Sequence, residues 1–331
     1  MPVGHSYHAR DHYVVGREKI REFARAVQDH HPVHWSEDAG IEFGYGGLIA
    51  PPTFFSVPGF LAQTQMFESV MAGYDLSQIM QTDQVVRYHR PIRAGDHLHF
   101  EIRLDSFRQA FGGDLIGFES LVTDARGEPV LASQISIVGR TGVESSLADI
   151  SDRVLMHGFR PGSATPAPQA REAVAVPAGL GTDSPDPVAA GRFARAYDSV
   201  AVGDELPPRI VRLNQGDLVN YAGVSGDPNP IHWSQEVAGL VELDAPVAHG
   251  MLTIGIGAGF VTSWLGDPGA VREYAVRLTS PVFVTREGAE VEFTGKVKSM
   301  DPVQRTATIA VTAKHHGRRI FGRATATVRL R

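Results

Sequence analysis

The chain has 331 residues, 43% of them hydrophobic and 21% charged, which is ordinary globular material and length enough for two domains. A formal charge of −6 at pH 7 excludes bulk attraction to nucleic acid or an anionic membrane, so an acidic partner must dock on a local basic patch. The complete lack of cysteine excludes disulfides, thiolate nucleophiles and Cys-ligated zinc. The amino terminus carries no apolar run of the secretory type, so a cytoplasmic protein is expected.

In chain order, Ile20, Phe23, Ala24 and Val27 recur at helical spacing and predict a helix over residues 16–27. It leads into Asp29-His-His31-Pro-Val-His34-Trp35-Ser36. Pro51-Pro52 then opens an apolar stretch to Phe67, which predicts a second, largely buried helix. Residues 98–107, 115–124 and 130–140 predict strands, with Gly112-Gly113 and Arg126-Gly127-Glu128-Pro129 as the turns between them. From 143 to 190 the composition shifts to Pro, Ala and Gly, which predicts a linker.

The same order then returns: a helix over 214–224, an apolar helix over 250–265, and strands near 291–300, 307–315 and 320–330. In the last strand Gly322, Ala324, Ala326 and Val328 place small residues on one face. The apolar run at 250–265 is too short and too rich in glycine to span a bilayer. It predicts a helix buried on all sides, with Gly255, Gly257 and Gly259 letting a sheet approach closely.

The repetition extends to individual residues. Tyr221-Ala-Gly-Val-Ser-Gly-Asp227-Pro-Asn229-Pro-Ile-His232-Trp233-Ser234 lies over Phe23 to Ser36 without a gap, at an offset of 198 residues. Ala248-His249-Gly250-Met251 lies over Ala50-Pro51-Pro52-Thr53 at the same offset. The chain is therefore an internal duplication, divided as an amino half over 1–142, the linker over 143–190 and a carboxyl half over 191–331. Each half combines one long buried helix with an antiparallel sheet, an α+β architecture.

The two copies differ in chemistry. Asp227 sits in Gly-Asp-Pro-Asn-Pro, where two prolines stiffen the loop, and a proton-transfer group must be held in place. His232, one of fourteen histidines, titrates near neutrality and can serve as base in one direction and acid in the other. Gly250 would place its N–H at the start of the buried helix, where unpaired amides favour a developing oxyanion. Asn229 is expected to orient the loop or a water. Asp227 and His232 have no convincing third metal ligand, and no Gly-x-Ser-x-Gly elbow marks a serine hydrolase. The set suits enolate chemistry on a thioester and needs no cofactor. In the amino copy Asp29 and His34 persist, but His31 stands for Asn229, and Pro52, which has no N–H, stands for Gly250. One working site and one relic are expected.

Residues 202–207, 217–233, 248–253 and 261–270 resemble the catalytic subunit of the (3R)-hydroxyacyl-ACP dehydratase of actinobacterial type II fatty acid synthesis, within the MaoC-like hydratase group. The amino half, through Asp11-His-Tyr, residues 17–24, Gly46-Gly-Leu-Ile-Ala-Pro, Thr82-Asp-Gln-Val and Gly95-Asp, resembles its partner subunit. The chain is thus similar to a natural fusion of the two. The resemblance implies a double hot-dog fold in which the halves pair, catalysis by Asp227 and His232 with the Gly250 amide as oxyanion donor, and reversible dehydration of (3R)-3-hydroxyacyl thioesters in fatty acid or mycolic acid elongation. It also implies that the amino half supplies an acyl channel, for which Phe54, Phe55, Phe60 and Phe67 are the candidates. The carrier would be acyl carrier protein or CoA, met by Arg87, Arg90 and Arg93 or by Arg318 and Arg319. A hot-dog thioesterase, a hydratase acting on CoA thioesters and a noncatalytic acyl-binding scaffold are the rival readings.

Overall fold

The structure, a computed structural model, describes residues 3–70, 79–110, 113–139 and 192–331; the expected linker lies outside them. The amino half comprises β1 (Ser6–His8), β2 (Tyr13–Val14), α1 (Arg17–Ala26), α2 (Glu37–Glu42), α3 (Ser56–Val70), β3 (Met80–Tyr88), β4 (His97–Ala110), β5 (Gly113–Thr123) and β6 (Pro129–Gly139). The carboxyl half comprises β7 (Glu205–Leu213), α4 (Gln215–Ser225), α5 (Gln235–Leu240), α6 (Gly250–Leu265), β8 (Val271–Leu278), β9 (Ala289–Asp301), β10 (Thr306–His315), β11 (Arg318–Arg319) and β12 (Phe321–Arg329).

All the strands form one antiparallel sheet, ordered β1-β4-β5-β6-β3-β8-β12-β10-β9-β7, with β2 beside β4 and β11 beside β10. This is the expected double hot-dog. Its seam is the pairing of β3 with β8, in register Asp83↔Arg277 through Arg87↔Glu273. The pairing is a local two-fold: moving each residue 190 positions along the chain turns Asp83↔Arg277 into Arg87↔Glu273. The offset is 198 in the motifs and 190 from the bridges Ile49↔Arg93 and Val247↔Phe283 onward, so the amino half holds eight extra residues between its motif and β3.

The expected helices and outer strands are present. The seam strands and the edge strand β7 were not legible in the sequence. In β3 and β8 the faces are both partly covered, so polar and apolar residues mix without clean alternation. In β7, Pro207 and Pro208 interrupt the pattern at a register shift between Leu206 and Arg209, as prolines on an edge strand do. The small-residue face of β12 holds for Ala324, Ala326 and Val328, which are buried, but a register shift after Phe321 puts Phe321 inside and Gly322 outside.

One core runs through both halves. Helix α6 is buried along nearly its whole length, as an apolar-all-round helix must be. Of the three glycines expected to meet the sheet, only Gly257 does: a Cβ there would lie 2.6 Å from the Tyr274 hydroxyl. Gly255 instead admits Val27 and Thr53, and Gly259 admits Asp29, so these two make room for the amino half and not for the sheet as expected. Gly257→Ala is expected to lower stability by about 2 kcal/mol through overpacking, measured by thermal unfolding. Gly223→Ala in α4, where a Cβ meets nothing within 4 Å, should be neutral or slightly stabilising.

Candidate active site

Helix α4 is started by a capping box between Asn214 and Asp217 and stopped by Gly226 in the left-handed conformation, φ 80°. The turn delivers Asp227. The Asn229 N–H then donates to Asp227 Oδ1 at 3.2 Å, and Asn229 Oδ1 accepts the Ile231 N–H at 3.2 Å. Asn229 thus orients the loop, capping the short 3-10 turn Pro230–His232. His232 Nδ1 lies 2.7 Å from the Val247 carbonyl. A carbonyl only accepts, so Nδ1 carries the proton and Nε2 presents a lone pair. Gly250 is the first residue of α6, with His249 as its N-cap.

His249 itself was missed. Its ring stacks on His232 at 3.7 Å between centroids and 24° between planes, and lies 4.9 Å from the Tyr221 ring. Its Nε2 faces the Asp227 carbonyl at 3.4 Å. Asp227, His232 and His249 bring their ligand-type atoms within 4.8 Å of one another, so the third metal-type residue judged absent from the sequence is present. The arrangement still fits a metal poorly. An ion must lie in the plane of each imidazole that binds it, and rings stacked face to face aim their lone pairs side by side.

Burial pushes His232 down, the Asp227 charge and the Val247 carbonyl pull it up, and the balance leaves it below the usual imidazole value. Burial, then the neighbouring His232, push His249 well down, against the Asp227 carbonyl. Both rings are therefore neutral at pH 7, and His232 keeps partial access to solvent beside Asp227.

The amino copy repeats this wiring at the same offset. His34 Nδ1 donates to the Ile49 carbonyl at 2.7 Å, and the His31 N–H donates to Asp29 Oδ1 at 3.1 Å. His31 Nδ1 accepts the Val33 N–H at 3.4 Å, so His31 performs the capping that Asn229 performs, and its Nε2–H reaches the Gly266 carbonyl at 3.2 Å. Gln28, the counterpart of Gly226, is held at φ 53°, a strained conformation for a residue with a side chain. The accessible carboxylate and imidazole of the carboxyl half are sealed here: Asp29 and His34 stand 3.5 Å apart at 2% and 0% exposure. Beside Pro52, between Tyr88 and Val271, remains a space of about 20 Å³, about one water.

The remaining expected residues are placed as follows. Phe54, Phe55 and Phe67 belong to the core, Phe54 edge-on to Phe23 and Phe67 edge-on to Phe118; Phe60 alone of the four is partly exposed. The expected basic patch is largely neutralised, Arg87 by Glu273 at 2.8 Å and Arg90 by Asp96 and Asp124 at 2.7 and 3.3 Å. Arg318 and Arg319 are exposed. Besides His249, two polar residues escaped the sequence, Tyr221 beside the His249 ring and Gln81 beside Gly250. Reading the two copies against each other exposes two of the three, since Pro51 and Phe23 are the counterparts of His249 and Tyr221.

Residues 2–133 match the model of a FAS1-like dehydratase domain region, and residues 200–318 match that of the MaoC like domain. A solved MaoC-like dehydratase is 46% identical to this chain, covers 99% of it and 98% of itself, and superposes with a TM-score of 0.86. A UPF0336 protein of Mycobacterium tuberculosis strain H37Rv is 42% identical over 147 residues, which are 44% of this chain and 89% of that protein. Rv0216 of Mycobacterium tuberculosis, a conserved hypothetical protein with a double hotdog fold, is 14% identical, with a TM-score of 0.63 over 99% of this chain and 96% of its own, a likeness of fold alone.

Two outcomes are expected from these environments. The His232 imidazole should titrate below the ordinary 6.5, and lower still in Asp227→Asn, which removes the charge that pulls it up; heteronuclear NMR of the imidazole carbons reads both. In the amino half, burial raises the Asp29 carboxyl, but His34 and the His31 N–H outweigh it and hold it at about 2. A carboxyl depressed on folding contributes stability that is complete above its unfolded value of 3.8 and is lost as pH falls through about 2. Asp29→Asn should therefore cost about 3 kcal/mol at neutral pH and flatten the loss of stability between pH 4 and 2, followed by denaturant unfolding across that range.

Proposed function

The chain belongs to the MaoC-like dehydratase family, and from that premise we propose that it catalyses the reversible dehydration of (3R)-3-hydroxyacyl thioesters to trans-2-enoyl thioesters, at a single site in its carboxyl half. The observation that carries this reading is His232 locked with a free Nε2 lone pair, in a cluster with Asp227 and His249 at the start of α6.

In the dehydration direction the neutral His232 Nε2 takes a proton from C2. The thioester oxygen gathers the resulting negative charge and is held by the Gly250 N–H at the helix start, where the dipole adds to the hydrogen bond. Asp227 holds the 3-hydroxyl. The hydroxyl leaves as water when it receives the proton that His232 removed, so the reaction neither consumes nor releases a proton. In the hydration direction Asp227 and His232 place water at C3 and the proton returns to C2. The general acid–base group contributes about 10²–10⁴-fold and the single amide donor about 10²–10³-fold.

The amino half lacks two of these parts. Pro52 has no N–H for an oxyanion, and burial keeps substrate from Asp29 and His34. We assign that half to binding, with the acyl chain passing α3 on the side of the partly exposed Phe60, and the thioester presented on acyl carrier protein. Supporting a carrier at this end of the site, the exposed Arg319 is bonded through its carbonyl to Thr279, and Thr279 follows Leu278, whose methyl would touch a Cβ on Gly250 at 2.7 Å.

Loss of enoyl absorbance on incubation with a 2-enoyl thioester reads hydration directly. His232→Ala and Asp227→Asn should each lower kcat/KM by about 10²–10⁴-fold. His34→Ala should keep kcat/KM within a few fold while lowering the unfolding temperature. Release of free thiol in place of hydration would mark a thioesterase, and an equal loss of activity in His34→Ala would show that both halves turn over substrate.

A further inference from the structure

Strand β3 belongs to the amino half, yet its first turn of sequence reaches the carboxyl site. Gln81 Oε1 lies 3.7 Å from where a Cβ on Gly250 would stand. The orientation of its amide follows from a chain of fixed partners. Gln84, 3% exposed, gives its Nε2 to the Gln134 carbonyl at 3.2 Å and to Ser133 Oγ at 2.8 Å. A carbonyl can only accept, so that end of Gln84 is the NH₂ and the other end is the oxygen. That oxygen accepts from Gln81 Nε2 at 3.0 Å, and Met251 Sδ lies 3.4 Å from the same nitrogen. The donor end of Gln81 is therefore used up, and its acceptor end is the one that lies beside Gly250.

The two-fold of the seam supplies a control within the same molecule. At the 190-residue offset Gln81 corresponds to Val271 and Gln84 to Tyr274, and Val271 lines the small space beside Pro52. The glutamine pair is thus present only where a backbone N–H is available for chemistry. A bare acceptor beside an oxyanion donor would repel the oxyanion itself, so its partner must be a donor a short way along the substrate. In a (3R)-3-hydroxyacyl thioester of the pantetheine type the 3-hydroxyl is taken by Asp227 in the proposed reaction, and the donor left close to the thioester is the amide N–H two methylenes beyond the sulfur.

Resting on the proposed reaction, we infer that Gln81 is a specificity-determining residue contributed by the amino half, whose Oε1 accepts the cysteamine amide N–H of a pantetheine-type thioester bound at Gly250.

The test compares a 2-enoyl N-acetylcysteamine thioester with its oxa-analogue, in which an ester oxygen replaces the N–H and all else is kept. Wild-type protein should favour the amide by roughly tenfold or more in kcat/KM, the scale of one lost hydrogen bond with an acceptor left facing an oxygen. Gln81→Leu should bring the ratio close to one by losing rate on the amide substrate alone, and Gln81→Met, with an unbranched side chain, serves if the first variant unfolds. A wild-type ratio near one, or the same ratio in wild type and variant, overturns the inference. A merely structural role would slow both substrates equally and leave the ratio unchanged. The saturated acyl forms of the same pair, titrated calorimetrically, read the preference without turnover. An enzyme that hydrates neither substrate but binds the amide form tenfold tighter, with the preference lost in Gln81→Leu, refutes the proposed reaction and retains Gln81. Equal binding of both refutes Gln81.

Discussion

The antiparallel pairing of β3 with β8 fixes the geometry of everything else. It joins two five-stranded layers into one sheet, and because it is a local two-fold it sets the halves' helices and loops against each other. Val27 and Thr53 pack on Gly255 and Asp29 on Gly259 of the opposite half's helix. In return, β3 brings Gln81 to Gly250. Part of the packing around α6 thus comes from the amino half, and the seam that sets it there also carries Gln81.

Within that symmetric frame the two copies were driven apart by small differences. The backbone wiring is shared: an imidazole Nδ1–H on a carbonyl at 2.7 Å and an N–H on an aspartate oxygen two residues back. What differs is access and one amide. Gly259 lets α6 close over Asp29, whereas the matching position on α3 holds Leu61, 52% exposed. A closed carboxylate–imidazole pair is costly to break but adds little by existing, so retention of Asp29 and His34 reflects what removal of either partner would leave buried. On the proposed mechanism proline at 52 closes the amino site, since it has no N–H to give to an oxyanion.

The sequence shows the duplication, the motif residues and the long buried helices because each has a local cause: a fixed offset, a stiff Pro-x-Pro loop, an all-apolar run. The structure returns the duplication, the motif residues and a buried α6, whereas α3 starts after a 3-10 turn over Pro52–Phe55 and is buried along one side only, with Leu61 exposed. The seam strands stayed hidden because β3 and β8 owe their place to each other and to cross-seam partners such as Arg87 and Glu273, and no local period records that. His249, Tyr221 and Gln81 stayed hidden for a related reason. Their relevance lies in what they touch across elements, as when His249 stacks on His232 seventeen residues away in sequence. The aromatic residues of α3 and of the 3-10 turn before it show the opposite error, since Phe54, Phe55 and Phe67 looked available for a channel and are buried in the core.

A half that has lost its own oxyanion donor can still be held by selection if it carries part of the other half's site. The residues flanking Gly250 come from both halves, Leu278 from β8 and Gln81 from β3, and the amide chain that orients Gln81 runs back through Gln84 to Ser133 and Gln134 on β6. A substitution deep in the amino sheet would therefore turn the Gln81 amide without touching Asp227, His232 or Gly250. Fusion of the halves keeps this arrangement together at no cost in association entropy, and under the proposed reaction it would leave the amino copy free to exchange proton transfer for recognition.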